Sequence, residues 1–174
     1  MSRHERSATI APAEQDLGTI ARAIIDANLY MVLGTVDEEG RPWVSPVFYA
    51  AAGYSELYWI SSPEVTHSRN LAGNPHLSIV VFDSQVPAGT GQAVYMSATA
   101  EELAGADLER GLAVYPGPPE RGWRPMTSAE LRPPAPYRLY RATVSEHSIL
   151  CPRSSGPCAA HGRAFDHRTA VRPG

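Results

Sequence analysis

One short stretch holds most of the residues able to do chemistry. It reads Ile60-Ser61-Ser62, then His67-Ser68-Arg69-Asn70, followed by Asn74-Pro75. Hydroxyl and backbone N–H donors that lead into a guanidinium suit a phosphate monoester: Ser61, Ser62 and Ser68 donate, and Arg69 supplies a bidentate charge. Downstream, the side-chain amide of Gln92 can serve a ring carbonyl or imide. All 15 basic residues are arginine, and no lysine occurs anywhere. Schiff-base chemistry and a nucleotide P-loop both need a lysine amine, so both are excluded. A bound phosphate must therefore be held by arginine, hydroxyls, backbone N–H groups or a helix N-terminus. No nucleophile is paired with a base in the pattern, so no catalytic residue is assigned.

A second group lies late in the chain. Cys151, Cys158, His161 and His167 form a Cys-x6-Cys-x2-His-x5-His series. Zinc favours cysteine pairs with two to four intervening residues. This spacing is looser and sits in a proline- and glycine-rich tail, so no metal ligand is expected. Two late thiols do not make a disulfide framework either.

The elements that must position these groups can be read from periodicity. Leu17, Ile20, Ala21, Ile24 and Ile25 recur at helical spacing, so a helix runs from Pro12 to about Asn28. Strands are expected over residues 29–36 and 42–50, joined by the turn Asp37-Glu38-Glu39-Gly40. In the second, Pro46 cannot donate to a ladder, which puts it at an edge or bulge. Further strands are expected over 56–61, 76–83, 91–102 and 137–150. Between the third and fourth, a helix should run to about Ala72, with Ser62 as N-cap and Pro63 at its first position, or with a Ser61–Glu64 capping box. Another helix covers 104–115. Residues 116–136 hold seven prolines and read as an irregular excursion.

Composition bounds the rest. A chain of 174 residues with 43% apolar residues suits one domain with a real core. The expected division is a flexible tail over 1–12, one domain over 13–150 and an irregular tail over 151–174. Net charge is −3, no basic aromatic patch is visible, and no apolar run reaches the length of a bilayer span. Neither nucleic acid nor membrane is an expected partner. The polar start, Met1 to Arg6, lacks the apolar stretch of a secretory signal, and the reading is a cytoplasmic protein.

The order of motifs over roughly residues 25–103 resembles the pyridoxamine 5'-phosphate oxidase-like split barrels that bind FMN, with a weaker echo over 137–150. The resemblance implies a mainly β, α+β fold: a six-stranded antiparallel split β-barrel of Greek-key type with short flanking helices. It implies that Val44, Ser45, Pro46 and Val47 lie against the isoalloxazine ring, and that Ile60, Ser61 and Ser62 run beside the ring and ribityl chain. His67, Ser68, Arg69 and Asn70 would sit at the phosphate, and Gln92 would reach the flavin from a neighbouring strand. A homodimer with the cofactor at the subunit interface, acting on a small-molecule substrate as a flavin-dependent oxidoreductase, is the implied function. Many members carry a lysine where this chain has Asn70. Some relatives use C-terminal arginines for substrate phosphate, a role open to Arg168 and Arg172 as an alternative to a disordered end. Deazaflavin-dependent reductases share the fold. So do non-catalytic flavin or haem binders, for which His67, His76 or His147 are candidate axial ligands.

Overall fold

The computed structural model describes residues 17–151, 156–158 and 161–173. The tail expected over residues 1–12 lies outside them. The first helix, α1 (Leu17–Ala27), buries Ala21 and Ile25, with Leu17, Ile20 and Ile24 packed beside them. Its apolar stripe therefore does what the spacing predicts. The side-chain amide of Asn28 donates to the Ile24 carbonyl at 2.8 Å and closes the last turn.

Strand β1 (Tyr30–Val36) turns through Asp37–Gly40 into β2 (Pro42–Phe48). Asp37 organises that turn, since its carboxylate accepts from the N–H groups of Glu39 and Arg41, and Gly40 takes a φ of 78°. After Tyr49 the chain continues as β3 (Ala50–Ala52), which pairs with β4 (Glu56–Ser61). The strand expected over 42–50 is thus one bent segment that pairs with β1 first and β4 afterwards. Helix α2 (Thr66–Gly73), strands β5 (His76–Phe82) and β6 (Ala93–Glu102), helix α3 (Gly105–Leu112) and the long β7 (Arg138–Leu150) follow. The proline-rich segment holds only two short 3-10 turns.

The sheet order is β2-β1-β5-β6-β7-β4-β3, antiparallel throughout. Counting β2 and β3 as one bent strand restores the six expected strands and curls the sheet into a split barrel. β5 returns beside β1 after the two hairpins, which is Greek-key connectivity. The added strand is β8 (Arg168–Val171), which pairs with β7. The segment after Cys151, expected to be irregular, therefore contributes to the sheet. Its four short residues carry too little apolar alternation to announce a strand; pairing with β7 decides it.

Inside the barrel, Met31, Leu33, Trp59, Ile79 and Ile149 are fully buried, and Trp59 stacks on Tyr140 at 5.5 Å. A second cluster, with Leu108, Leu131 and Leu139, seats α3 and the proline-rich segment on the outer side of β4 and β7. No helix among the described residues is long and apolar enough to cross a membrane.

Candidate functional site

Strand β4 delivers Ser61 and Ser62 to the corner that opens α2. The helix starts later than expected. Ser62 Oγ accepts from the N–H of Glu64 at 3.2 Å, so it caps a turn over 62–65. Val65 is the N-cap and offers no side-chain hydrogen bond. Neither the Ser62 cap nor the Ser61–Glu64 capping box forms, because Ser61 is used elsewhere: its hydroxyl pairs with His67 Nε2 at 2.8 Å. The leading N–H groups of α2 are left without intrahelical partners.

The residues of α2 then divide by face. Asn70 is buried, and its amide donates to Thr35 Oγ1 at 3.0 Å. It ties the helix to β1 and faces away from solvent. Ser68 is buried beside the Tyr140 phenol, and its hydroxyl has no well-aligned hydrogen-bond partner among the described residues. His67 is also buried, and desolvation holds its imidazole below the ordinary value of 6.5. Arg69 is exposed; its Nη1 donates to the Glu64 carbonyl and sets the guanidinium over the 62–65 turn. What the corner shows outward is Ser62, Arg69 and the open first turn of α2. These donors fit a phosphate monoester.

Beside this corner runs β2, the edge of the sheet. Val44 and Pro46 are exposed, Ser45 is half-buried and Val47 points inward. Pro46 thus sits at an edge, as its missing N–H requires. Val44 leads into a cleft of about 880 Å³ on the outer face of the sheet. Its floor follows the strand register. One row is Val44, Gly34, Ser78 and Ser97, and the next contains Val32, Val80, Tyr95 and Ser148. Directly opposed residues share a face, so both rows point into the cleft. Gly34 keeps the floor flat: a Cβ there would meet the Ser78 carbonyl at 3.4 Å. Arg168 and Arg172 form a cationic wall, and the Arg168 guanidinium lies 4.8 Å over the Tyr95 ring. A flat, partly apolar floor with a basic wall suits a planar anionic ligand.

The structure thus brings Ile60, Ser61, Ser62, His67, Ser68, Arg69 and Asn70 to one corner, next to residues 44–47. It does not bring Gln92 there. Gln92 precedes Ala93, which pairs with Phe82, whereas the α2 end of that ladder is His76 with Thr99. Gln92 therefore stands at the opposite end of β5 and β6 within one chain, with its amide nitrogen buried and unpartnered among the described residues. Of the sequence alternatives, the one that seats Arg168 and Arg172 at a pocket describes the structure. The floor residues Ser78, Ser97 and Ser148 were missed. Their only signal was a small polar residue at each outward strand position. Cys151, Cys158, His161 and His167, whose spacing carried no metal signature, are gathered with their ligating atoms within 4.8 Å of one another.

Comparison with known proteins places this geometry. The Mycobacterium smegmatis haem-binding protein superposes with a TM-score of 0.62 at 21% identity, over 92% of this chain and 59% of that one. The chain thus spans less than two thirds of that protein's length. A Bacteroides thetaiotaomicron protein assigned to 5-nitroimidazole antibiotic resistance gives a TM-score of 0.61 at 16% identity, covering 86% of this chain and 94% of that one. A FAD-binding protein from Mesorhizobium loti gives 0.55 at 22% identity, covering 75% and 91%. These likenesses show a shared fold. No curated protein matches in sequence. The sequence profile of the pyridoxamine 5'-phosphate oxidase family matches residues 19–151, the span from α1 to the end of β7, and the chain belongs to that family.

Proposed function

We propose that this protein is an FMN-binding oxidoreductase that works as a homodimer and moves hydride between the flavin and a small-molecule substrate. The observation that carries this reading is the meeting of two features at β2. Val44 lines the flat cleft, and its neighbour Trp43 pairs with Thr35, which holds Asn70 of α2. Adjacent strand residues face opposite sides of the sheet. Strand β2 therefore carries the cleft floor on its outer side and the α2 anchor on its inner side, and a ligand with its ring in the cleft would reach the α2 corner across this edge strand.

When bound, the flavin supplies the hydride chemistry, and the chain binds, orients and shields it. Arg69, Ser62 and the leading N–H groups of α2 hold the phosphate. Edge strand residues 44–47 lie along the ring, where backbone donors favour added negative charge. Ser61 and His67 brace each other beneath the corner. Arg168 and Arg172 attract an anionic substrate to the open side of the cleft. The exposed apolar residues of β2, Trp43 and Val44 among them, need a cover, and a second copy supplies it.

The test is direct. The purified protein is examined for a flavin spectrum and titrated with FMN by fluorescence quenching, with a deazaflavin as competitor. Saturable FMN binding supports the proposal, preference for the deazaflavin moves it to that cofactor, and binding of neither removes it.

A further inference from the structure

We propose that Cys151, Cys158, His161 and His167 form a tetrahedral zinc site that clasps the C-terminal strand onto the barrel. The β7–β8 pairing begins the assembly. Leu150 pairs with Arg168, and the Cys151 N–H donates to the His167 carbonyl at 3.0 Å, so residues 16 apart in sequence become neighbours. A tight turn then presents the other two. The Cys158 carbonyl accepts from the N–H groups of His161 and Gly162 at 3.1 and 2.7 Å, with Gly162 at a φ of 63°. The loose spacing of the cysteines thus conceals two compact pairs, Cys158-x2-His161 within one turn and Cys151 against His167 across the hairpin.

The three distances to His161 Nδ1 are those of a coordination shell, and all four ligating atoms lie within 4.8 Å of one another. The Sγ atoms of Cys151 and Cys158 lie 3.6 and 3.4 Å from His161 Nδ1, and His167 Nε2 lies 3.2 Å from the same atom. A tetrahedron with Zn–S of about 2.3 Å and Zn–N of about 2.05 Å has S···N edges of about 3.6 Å and N···N edges of about 3.3 Å. One ring nitrogen approached by two sulfurs and another ring nitrogen makes a poor hydrogen-bond centre. It makes a good edge-sharing corner around a cation.

The outer contacts agree. His161 Nε2 lies 3.2 Å from Thr169 Oγ1, and His167 Nδ1 lies 2.9 Å from the Phe165 carbonyl. With each of these nitrogens donating outward, Nδ1 of His161 and Nε2 of His167 both present lone pairs to the centre, the arrangement zinc-bound histidines share. Thr169 Oγ1 also lies 3.1 Å from Cys151 Sγ and can donate its proton to the thiolate. Two thiolates, two neutral imidazoles and one divalent ion sum to zero charge, so the half-buried site would hold no unbalanced charge. Soft sulfur and imidazole in a tetrahedral set select zinc over magnesium or calcium. Binding releases the two thiol protons to solvent. The ion would hold Arg168, directly after His167, against the cleft.

The experiment is metal analysis of the reduced full-length protein, followed by cobalt(II) titration of the chelator-treated sample. About one zinc per chain, and cobalt spectra with thiolate charge transfer and intense tetrahedral bands, are expected. Cys158→Ser, at a half-exposed position that should leave the barrel folded, is expected to abolish stoichiometric zinc. Thr169→Val keeps all four ligands and should weaken cobalt binding about 10- to 100-fold. Three outcomes overturn the proposal: reduced protein that takes up neither zinc nor cobalt, protein purified without reductant whose mass is lower by two hydrogens and so reports a Cys151–Cys158 disulfide, or variants that bind metal like the parent. None of these readouts depends on flavin.

Discussion

Arg69 and His67 are adjacent in the chain and answer to different physics. Arg69 lies on the surface, and its worth comes from an anion it can reach. If it holds the flavin phosphate, Arg69→Ala removes a charge-assisted contact of about 1.5–3 kcal/mol. The FMN dissociation constant should then rise roughly 10- to 100-fold in fluorescence titration, with thermal stability unchanged. His67 is buried, and burial holds its pKa below 6.5. In the unfolded chain it protonates as pH falls through about 6.5, while in the folded chain it stays neutral to lower pH. The unfolded state then binds more protons, so stability falls as pH drops below about 6.5 and levels off beneath the folded pKa. Melting temperatures measured between neutral and acidic pH should show this decline in the parent, and His67→Gln should flatten it. That serines, a histidine and an arginine gather at one corner was legible from residue types and spacing alone. Which of them face outward was not, because one residue of helix phase separates buried Ser68 from exposed Arg69 and from Asn70, which the Thr35 contact turns inward.

At the scale of elements, the strands follow their alternation closely, and the helix start does not. Serine before proline is a strong cap signal. Here Ser61 is engaged by His67 and Ser62 by its own turn, so α2 begins at Thr66. Tertiary partners outbid local propensity. The proline-rich excursion shows the same effect. It is irregular, as its composition requires, yet Arg121 pins it to the barrel. The guanidinium donates to the carbonyls of Asn28 and Tyr49 at 3.0 and 2.8 Å and stacks over the Phe48 and Tyr49 rings. Arg121→Ala should cost about 2 kcal/mol in urea denaturation. Lysine should not restore it, since an ammonium cannot fork between two carbonyls while lying flat on aromatic rings.

For the whole molecule, edge strand β2 is where a second copy is expected, and gel filtration should give twice the 18.8 kDa chain mass. Val44→Glu places a carboxylate on that edge and in the cleft, so it should yield monomers that no longer hold flavin. The amino-acid sequence alone determined the family, nearly every strand of the barrel and the chemistry excluded by having no lysine. Those properties reside in local alternation, turn residues and composition, which neighbours along the chain suffice to express. Only the tertiary structure decided that Val44, Ser78 and Arg168 share a cleft, that Gln92 stands apart, and that two cysteines and two histidines converge. Those relations depend on strand register and on the pairing of β8 with β7, and register joins residues that periodicity treats as unrelated.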